Sequence, residues 1–176
     1  MKYSILLPLS FLFLSTCQKQ EEPSIQIFYP GEQEFGWASG IRGDQQWEAS
    51  GYWEPYPGDS TVISITFETY DEATVPQEIY GLNDIPLEIG TYTIQGDYSD
   101  TGNGFVGGTY VRLAPNGISV SRRLQINNDV NGFITISEYN SSTNTIAGSF
   151  EMFFVSEDSS ELVEVTEGTF ELMIPE

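Results

Sequence analysis

The first group of side chains that could carry chemistry is aromatic. Tyr52, Trp53 and Tyr56 lie in one short proline-containing stretch. Aromatic rings beside acids and amides suit the C–H faces and hydroxyl groups of a sugar, because each ring has an apolar face and, in Tyr and Trp, a polar edge. We therefore treat the three residues as candidate glycan or ligand contacts. The alternative is a core role, since Trp47 and Trp53 fall on the same strand face as Ala49.

The second group lies in a glycine-rich turn over residues 96–104. Asp97, Asp100 and Asn103 place two carboxylates and an amide there. Ca²⁺ takes six to eight oxygen ligands, and such a loop can supply several of them. Asp, Asn and Gly are also ordinary turn residues, and the spacing does not match a helix–loop–helix calcium site. The turn is a weak candidate Ca²⁺ site, and we expect no other metal and no other cofactor.

The third candidate is Arg122, which falls at an inward position between Val120 and Leu124. A buried arginine must be paired, because an unpaired charge is costly away from water. Either Arg122 meets an acid in a cavity, where it would mark a pocket for a polar or anionic ligand, or a β-bulge turns it outward. The sequence favours the bulge.

Charge and composition exclude several classes of function. The chain has 26 acidic and six basic residues, a net charge of −20 and no histidine. Cys17 is the single cysteine, and the two lysines are Lys2 and Lys19. Serine–histidine and cysteine–histidine catalysis, Schiff-base lysines, phosphate-binding P-loops and zinc sites are therefore excluded from the rest of the chain. Nucleic acid would be repelled by the acidic surface, so we expect no such partner.

Carboxylate chemistry stays available, because glycoside hydrolysis needs only two suitably spaced acids. So many acidic residues give the sequence no means of choosing a pair. We expect a protein that is not an enzyme, with a carboxylate-dependent hydrolase as the alternative.

The amino terminus reads as an export signal. Lys2 precedes an apolar run over residues 5–14, which is far shorter than the ~20 residues that span a bilayer. The run ends in Leu-Ser-Thr-Cys at residues 14–17, which resembles the lipobox of bacterial lipoproteins. That resemblance implies cleavage before Cys17 and a diacylglycerol attached to its sulfur. The alternative is an ordinary secretory signal with a fortuitous cysteine.

The resulting organisation has three parts: a signal peptide over residues 1–16, a polar tether over residues 17–24 and a single antiparallel β domain over residues 25–176. Residues 18–22 are polar and end in two acids. This run is similar to the signal that sends lipoproteins of Bacteroidota to the outer face of the outer membrane. We expect lipid anchoring to the outer membrane through Cys17, facing the cell surface.

Strand signals recur along the whole β domain. Residues 61–70 give the clearest example, because Ile63, Ile65 and Phe67 alternate with polar residues, as a half-buried strand requires. Short turn-rich links predict hairpins, with at least the last five strands in meander order. The predicted fold is all-β: an antiparallel β-sandwich or a partly closed meander barrel of about nine to ten strands, with a calycin-like barrel as the alternative. Residues 54–59 read as a loop, and residues 73–80 as a short helix or lid.

A glycine–aromatic motif recurs at residues 90–92, 108–110, 148–150 and 168–170. A glycine two residues before an inward aromatic leaves space for a ring from the next strand, which indicates core packing in a curved sheet. Together with Gly43-x-x-x-Trp47-x-Ala49, these motifs resemble a family of small uncharacterised lipoproteins of Bacteroidota. The resemblance implies an all-β lipoprotein and carries over no activity.

We therefore expect a surface-anchored lipoprotein whose β domain is a non-enzymatic binding or envelope-structural module, with a glycan or another envelope protein as candidate partners. The alternatives are a glycan-binding module or carboxylate-based glycoside hydrolase, and a barrel that binds a small ligand.

Overall fold

The computed structural model describes residues 36–98 and 104–175, which form ten β-strands joined by turns and short loops. The all-β prediction is confirmed. The strands are β1 (Gly36–Arg42), β2 (Gln45–Tyr56), β3 (Asp59–Tyr70), β4 (Pro76–Pro86), β5 (Gly90–Asp97), β6 (Val106–Leu113), β7 (Val120–Ile126), β8 (Gly132–Asn140), β9 (Thr145–Val155) and β10 (Leu162–Met173). None of the described residues belongs to a helix with the length and apolarity that crossing a bilayer requires.

Nine of these strands close into a barrel, and the tenth, β7, is an additional strand. The ring runs β1–β2–β3–β4–β6–β5–β8–β9–β10 and returns to β1. The space between β6 and β9 is filled in two parts: β5 and β8 occupy one end of the barrel, and β7 joins β6 to β9 at the other. The fold is thus a barrel, among the predicted alternatives, and it has the predicted number of strands.

Two details of the predicted topology are wrong. The sheet is mixed, because β5 runs parallel to β6 and β10 makes a parallel contact with β2. The last five strands are also not a continuous meander, since β7 and β8 are not neighbours. Instead β8 pairs with β5 and β9. The link between β7 and β8 resembles a hairpin turn in sequence, but a strand from earlier in the chain occupies the neighbouring position.

Aromatic and branched side chains fill the interior of the barrel. Ile63, Ile65 and Phe67 of β3 point inward and are fully buried, as their alternation predicts. The indole of Trp47 meets the rings of Phe67, Tyr80 and Phe150 edge-on, with centroids 5.3 to 6.1 Å apart. Such edge-to-face contacts are favourable for aromatic rings, so the centre of the barrel is a packed core.

The glycine–aromatic motif contributes to this core by reciprocal pairing of β9 and β10. Phe150 pairs with Gly168, and Gly148 pairs with Phe170. A Cβ atom on Gly168 would lie 2.5 Å from the ring of Phe150, and one on Gly148 would lie 2.8 Å from the ring of Phe170. Each glycine therefore leaves room for the ring that crosses it, as the motif predicts.

Two local predictions are wrong. Residues 73–80 do not form a helix or lid, because β4 begins at Pro76, and proline is tolerated at the first residue of a strand. The predicted loop over residues 54–59 is reduced to Pro57 and Gly58, since β2 continues to Tyr56 and β3 starts at Asp59. The predicted signal peptide, Cys17 and the tether lie outside the described residues.

Candidate functional site

Glu68 is a carboxyl group buried on the outer wall of the barrel. It follows the inward Phe67 on β3 and therefore faces outward, yet only 2% of its surface is exposed. The hydroxyl of Tyr70 donates a hydrogen bond to Oε2, while Oε1 is buried and has no hydrogen-bond partner within residues 36–98 and 104–175. Burial disfavours the charged form and raises the pKa of Glu68 to about 7, although the bond from Tyr70 opposes the shift.

Strand register places Glu68 in a shallow groove across β1, β2 and β3. Trp37 of β1 lies opposite Ser50 of β2, and Ser50 lies opposite Glu68 of β3. Ser50 is much smaller than its two neighbours, so the row has a hollow at its centre. We call this hollow the Glu68 groove; its volume is about 540 Å³. Its lining consists of Trp37, Ala38, Ser39, Glu48, Ala49, Ser50, Glu68 and Tyr70.

The lining combines one large apolar face with hydroxyl and carboxyl groups. The side chain of Trp37 is 50% exposed, because Gly36 and Ala38 on either side of it take the buried positions of β1. Ser39 lies opposite the exposed Glu48 in the next row of the sheet. The described lining contains no arginine or lysine. The groove can therefore accept hydrogen bonds from a ligand and pack an apolar surface against an indole.

A second buried carboxyl, that of Glu78, lies at the end of the barrel where β1 and β6 finish and β4 begins. Oε2 accepts hydrogen bonds from Nη1 of Arg42 at 2.5 Å and from the hydroxyl of Tyr80 at 3.0 Å. Oε1 accepts one from the hydroxyl of Tyr110 at 2.6 Å, with Nε of Arg112 at 3.7 Å. Burial opposes ionisation, but the bonds from Tyr110 and Arg42 outweigh it and lower the pKa of Glu78. We call this end of the barrel the arginine end.

Arg122 lies at the rim of the arginine end. Its Nε is 3.3 Å from Oε2 of Glu161, its Nη2 is 3.8 Å from Oδ1 of Asp158, and its side chain is substantially exposed. The register between β6 and β7 shifts between Arg112 and Leu113, which lie opposite Arg122 and Val120. This shift lies on the Val120 side of Arg122, whereas the pairs Arg112–Arg122 and Tyr110–Leu124 stay in one register, so Arg122 keeps the face of the buried Leu124. The prediction that a bulge turns Arg122 outward is therefore wrong, and Arg122 instead meets two acids at the exposed rim.

The predicted aromatic contacts do not form one exposed surface. Tyr52 is 5% exposed and Trp53 only 2% exposed. The indole Nε1 of Trp53 donates to the backbone oxygen of Asn144 at 2.9 Å, so Trp53 is a core residue with its polar edge satisfied. Of the three, Tyr56 alone is well exposed, at 39%. Trp37, the aromatic residue that does line a groove, lies on a different strand.

The candidate calcium residues fall partly outside the described residues. Asp100 and Asn103 lie in the segment between residues 98 and 104, and Asp97 is an exposed residue at the end of β5. Within residues 36–98 and 104–175, no group of three or more acidic, histidine or cysteine side chains is arranged to hold a metal ion.

Comparison with known proteins gives no match: no family model fits the chain, and neither a curated protein nor a solved structure is significantly similar to it. The likeness to Bacteroidota lipoproteins therefore stays a prediction from the sequence.

Proposed function

We propose that this protein is a non-enzymatic binding module, anchored to the outer membrane through a lipid on Cys17, and that it contacts its ligand through the Glu68 groove. One observation carries the proposal: Glu68 lines a groove that opens to the outside, and its buried Oε1 has no hydrogen-bond partner among the described residues. Buried polar atoms in native proteins are nearly always hydrogen-bonded, so an exception needs a physical explanation. A ligand that donates a hydrogen bond supplies one.

Among the residues that the structure describes, two other buried polar side-chain atoms lack a partner, Nε1 of Trp47 and Oδ1 of Asn83. Neither residue lines the groove. Trp47 is packed among core rings, and the amide nitrogen of Asn83 bonds to the backbone oxygen of Tyr98, which already ties that side chain down. Glu68 differs from both because its partnerless atom belongs to an ionisable group beside an open hollow.

The packed interior favours a ligand on the barrel wall over one inside the barrel. The centre is occupied by the rings of Trp47, Phe67, Tyr80 and Phe150. A small-ligand barrel needs an interior space of several hundred Å³, and these rings stand where it would be. The groove, at about 540 Å³, has the size of an ordinary small-ligand site.

The anchor is tested by replacing Cys17 with Ala in the full-length chain. We expect labelled palmitate to enter the natural protein and not Cys17→Ala, and the variant to leave the membrane fraction, because two or more acyl chains are needed for stable attachment. Protease added to intact cells should remove the natural protein. Cys17→Ala that stays in the membrane fraction would contradict the anchor, and complete protection from protease would contradict surface display.

The groove is tested by photo-cross-linking in intact cells. Glu48 is exposed on the groove rim, so p-benzoylphenylalanine in its place would project over the hollow without disturbing the core. The matched control places the same cross-linker at Arg123, which is exposed on β7. We expect a light-dependent adduct at position 48 and none at position 123. Equal adducts at both positions, or none at position 48, would contradict binding through the groove.

A further inference from the structure

We propose that the ligand of the Glu68 groove is an uncharged saccharide, with a sugar ring on the indole of Trp37 and a sugar hydroxyl bonded to Oε1 of Glu68. This inference rests on the function proposed above and names its ligand class. It moves the glycan contact from the stretch containing Tyr52, Trp53 and Tyr56 to the outer wall of the barrel.

Trp37 supplies the surface on which a sugar ring can lie. Its side chain is 50% exposed, although tryptophan is usually mostly buried. The face of the indole carries partial negative charge, and the C–H groups on one side of a pyranose ring are apolar and weakly positive. An exposed indole that borders a polar hollow therefore matches a molecule with one C–H face and a rim of hydroxyl groups.

Glu68 and the hydroxyl groups around it can form hydrogen bonds with the hydroxyl groups at the edge of a sugar ring. Ser39, Ser50 and Tyr70 line the same hollow as Glu68, whose buried Oε1 has no partner among the described residues. A sugar hydroxyl can donate to an ionised carboxylate and can also accept from a protonated carboxyl. Because burial holds the pKa of Glu68 near 7, both forms are populated at neutral pH, and a hydroxyl group satisfies either one.

Other ligand classes fit less well. An anionic ligand would meet the net charge of −20 and the carboxyl groups of Glu48 and Glu68. A wholly apolar ligand would cover Oε1 of Glu68 and still leave it unpaired, which is costly. A basic peptide could pair with the exposed Glu48, but the burial of Glu68 favours its uncharged form and so works against a cation placed beside it.

The experiment uses the lipidated protein in detergent micelles. An array of neutral oligosaccharides identifies a binder, and calorimetry then compares variants on that oligosaccharide. We expect Trp37→Ala to weaken binding about tenfold, as truncation of a central aromatic contact commonly does. Glu68→Met removes the acceptor oxygen at similar length and should also weaken binding about tenfold, whereas Glu68→Gln keeps an acceptor and should stay within about threefold.

Tyr56→Ala is the matched control, because Tyr56 is the exposed aromatic residue of the originally predicted contact. It should leave the affinity within about twofold, and each variant should retain the melting profile of the natural protein. Loss of binding in Tyr56→Ala with retention in Trp37→Ala would overturn the proposed site.

Failure of the ligand class can be distinguished from failure of the groove. If no neutral oligosaccharide binds while the cross-linker at position 48 captures a protein, the saccharide inference is wrong and binding through the groove stands. If position 48 gives no adduct and an oligosaccharide binds with equal affinity to Trp37→Ala, both proposals are wrong.

Discussion

Glu68 is a buried carboxyl group and Glu78, on the neighbouring strand, is a largely buried one, and the protein surrounds them in opposite ways. Glu78 accepts hydrogen bonds from Arg42, Tyr80 and Tyr110. Glu68 accepts one from Tyr70, and its other oxygen has no partner in the described part of the chain. The pKa of Glu78 is accordingly lowered and that of Glu68 is raised. Glu78 is therefore ionised at neutral pH, whereas Glu68 exchanges between its protonated and ionised forms near pH 7.

On our proposal, this difference separates a structural carboxylate from one that is available to a ligand. Glu78 on β4 is bonded to Arg42 of β1, a strand that is not its neighbour in the ring, and so ties the two strands together at the arginine end. Its desolvation is offset within the fold. At Glu68 one oxygen has no donor among the described residues, and the unfavourable desolvation raises the pKa of the carboxyl. On our proposal, a ligand that provides a donor relieves the remaining cost.

The largest expected effect is at Glu78. Glu78→Gln would leave Arg42 without its anionic partner and weaken the bonds from both tyrosines. Arg42 and Glu78 form a partly buried ion pair, so removing one charge should cost about 3 kcal/mol of the free energy of unfolding, the low end of the range for buried pairs. Urea denaturation measures it, with the exposed Glu138→Gln as control. A loss no larger than that of the control would mean that the arginine end is not a structural tie.

The effect of Glu68→Gln on stability should depend on pH. Unlike Glu78→Gln, this variant should gain stability relative to the natural protein as the pH rises. The unfolded carboxyl loses its proton near pH 4.5, and the folded one near pH 7. Between these values the folded state binds more protons, so the contribution of Glu68 to stability is fully present below about pH 4.5 and declines as the pH rises through 7. The variant lacks this decline. Its stability relative to the natural protein should therefore increase from pH 4.5 to 8, by up to about 3 kcal/mol.

Urea denaturation of both proteins across that pH range measures the difference. A constant difference from pH 4.5 to 8 would contradict a raised pKa at Glu68. Glu78 provides an internal contrast, because its folded pKa is lowered and its contribution is lost as the pH falls through that value, below 4.5.

The smallest expected effect is at Arg122. Its contacts with Glu161 and Asp158 are exposed at the rim, and exposed ion pairs contribute little. Arg122→Ala should change the free energy of unfolding by no more than about 0.5 kcal/mol. A loss above about 2 kcal/mol would show that Arg122 belongs to the network of ion pairs around Glu78. The contacts of Arg122 would then contribute to stability as strongly as partly buried ones.

Much of the fold could be predicted because the alternation of apolar and polar residues identifies each strand and its buried face. The alternation of Ile63, Ile65 and Phe67 predicted which face of β3 is buried, and the glycine–aromatic motif predicted the space that Gly148 and Gly168 leave for rings of the neighbouring strand. The order of strands could not be predicted in the same way. The insertion of β5 beside β8 depends on contacts between distant segments, which local turn chemistry does not record.

The candidate site was missed for a related reason. In sequence, Glu68 occupies an outward position of an alternating strand, where a solvated side chain is the ordinary expectation. Its place in the groove depends on the register that brings Ser50 and Trp37 into the same row. The sequence predicted aromatic contacts from side chains adjacent along one strand, but neighbours in a strand alternate between faces, so Trp53 lies in the core.

The most direct test of the account is a titration of the two carboxyl groups by carbon-detected nuclear magnetic resonance of the folded protein. Glu68 should titrate with a midpoint near pH 7, and Glu78 should titrate below pH 4.5. A midpoint for Glu68 at or below pH 4.5 would mean that its carboxylate is already satisfied by the fold, and the reason for placing a ligand in the groove would be lost.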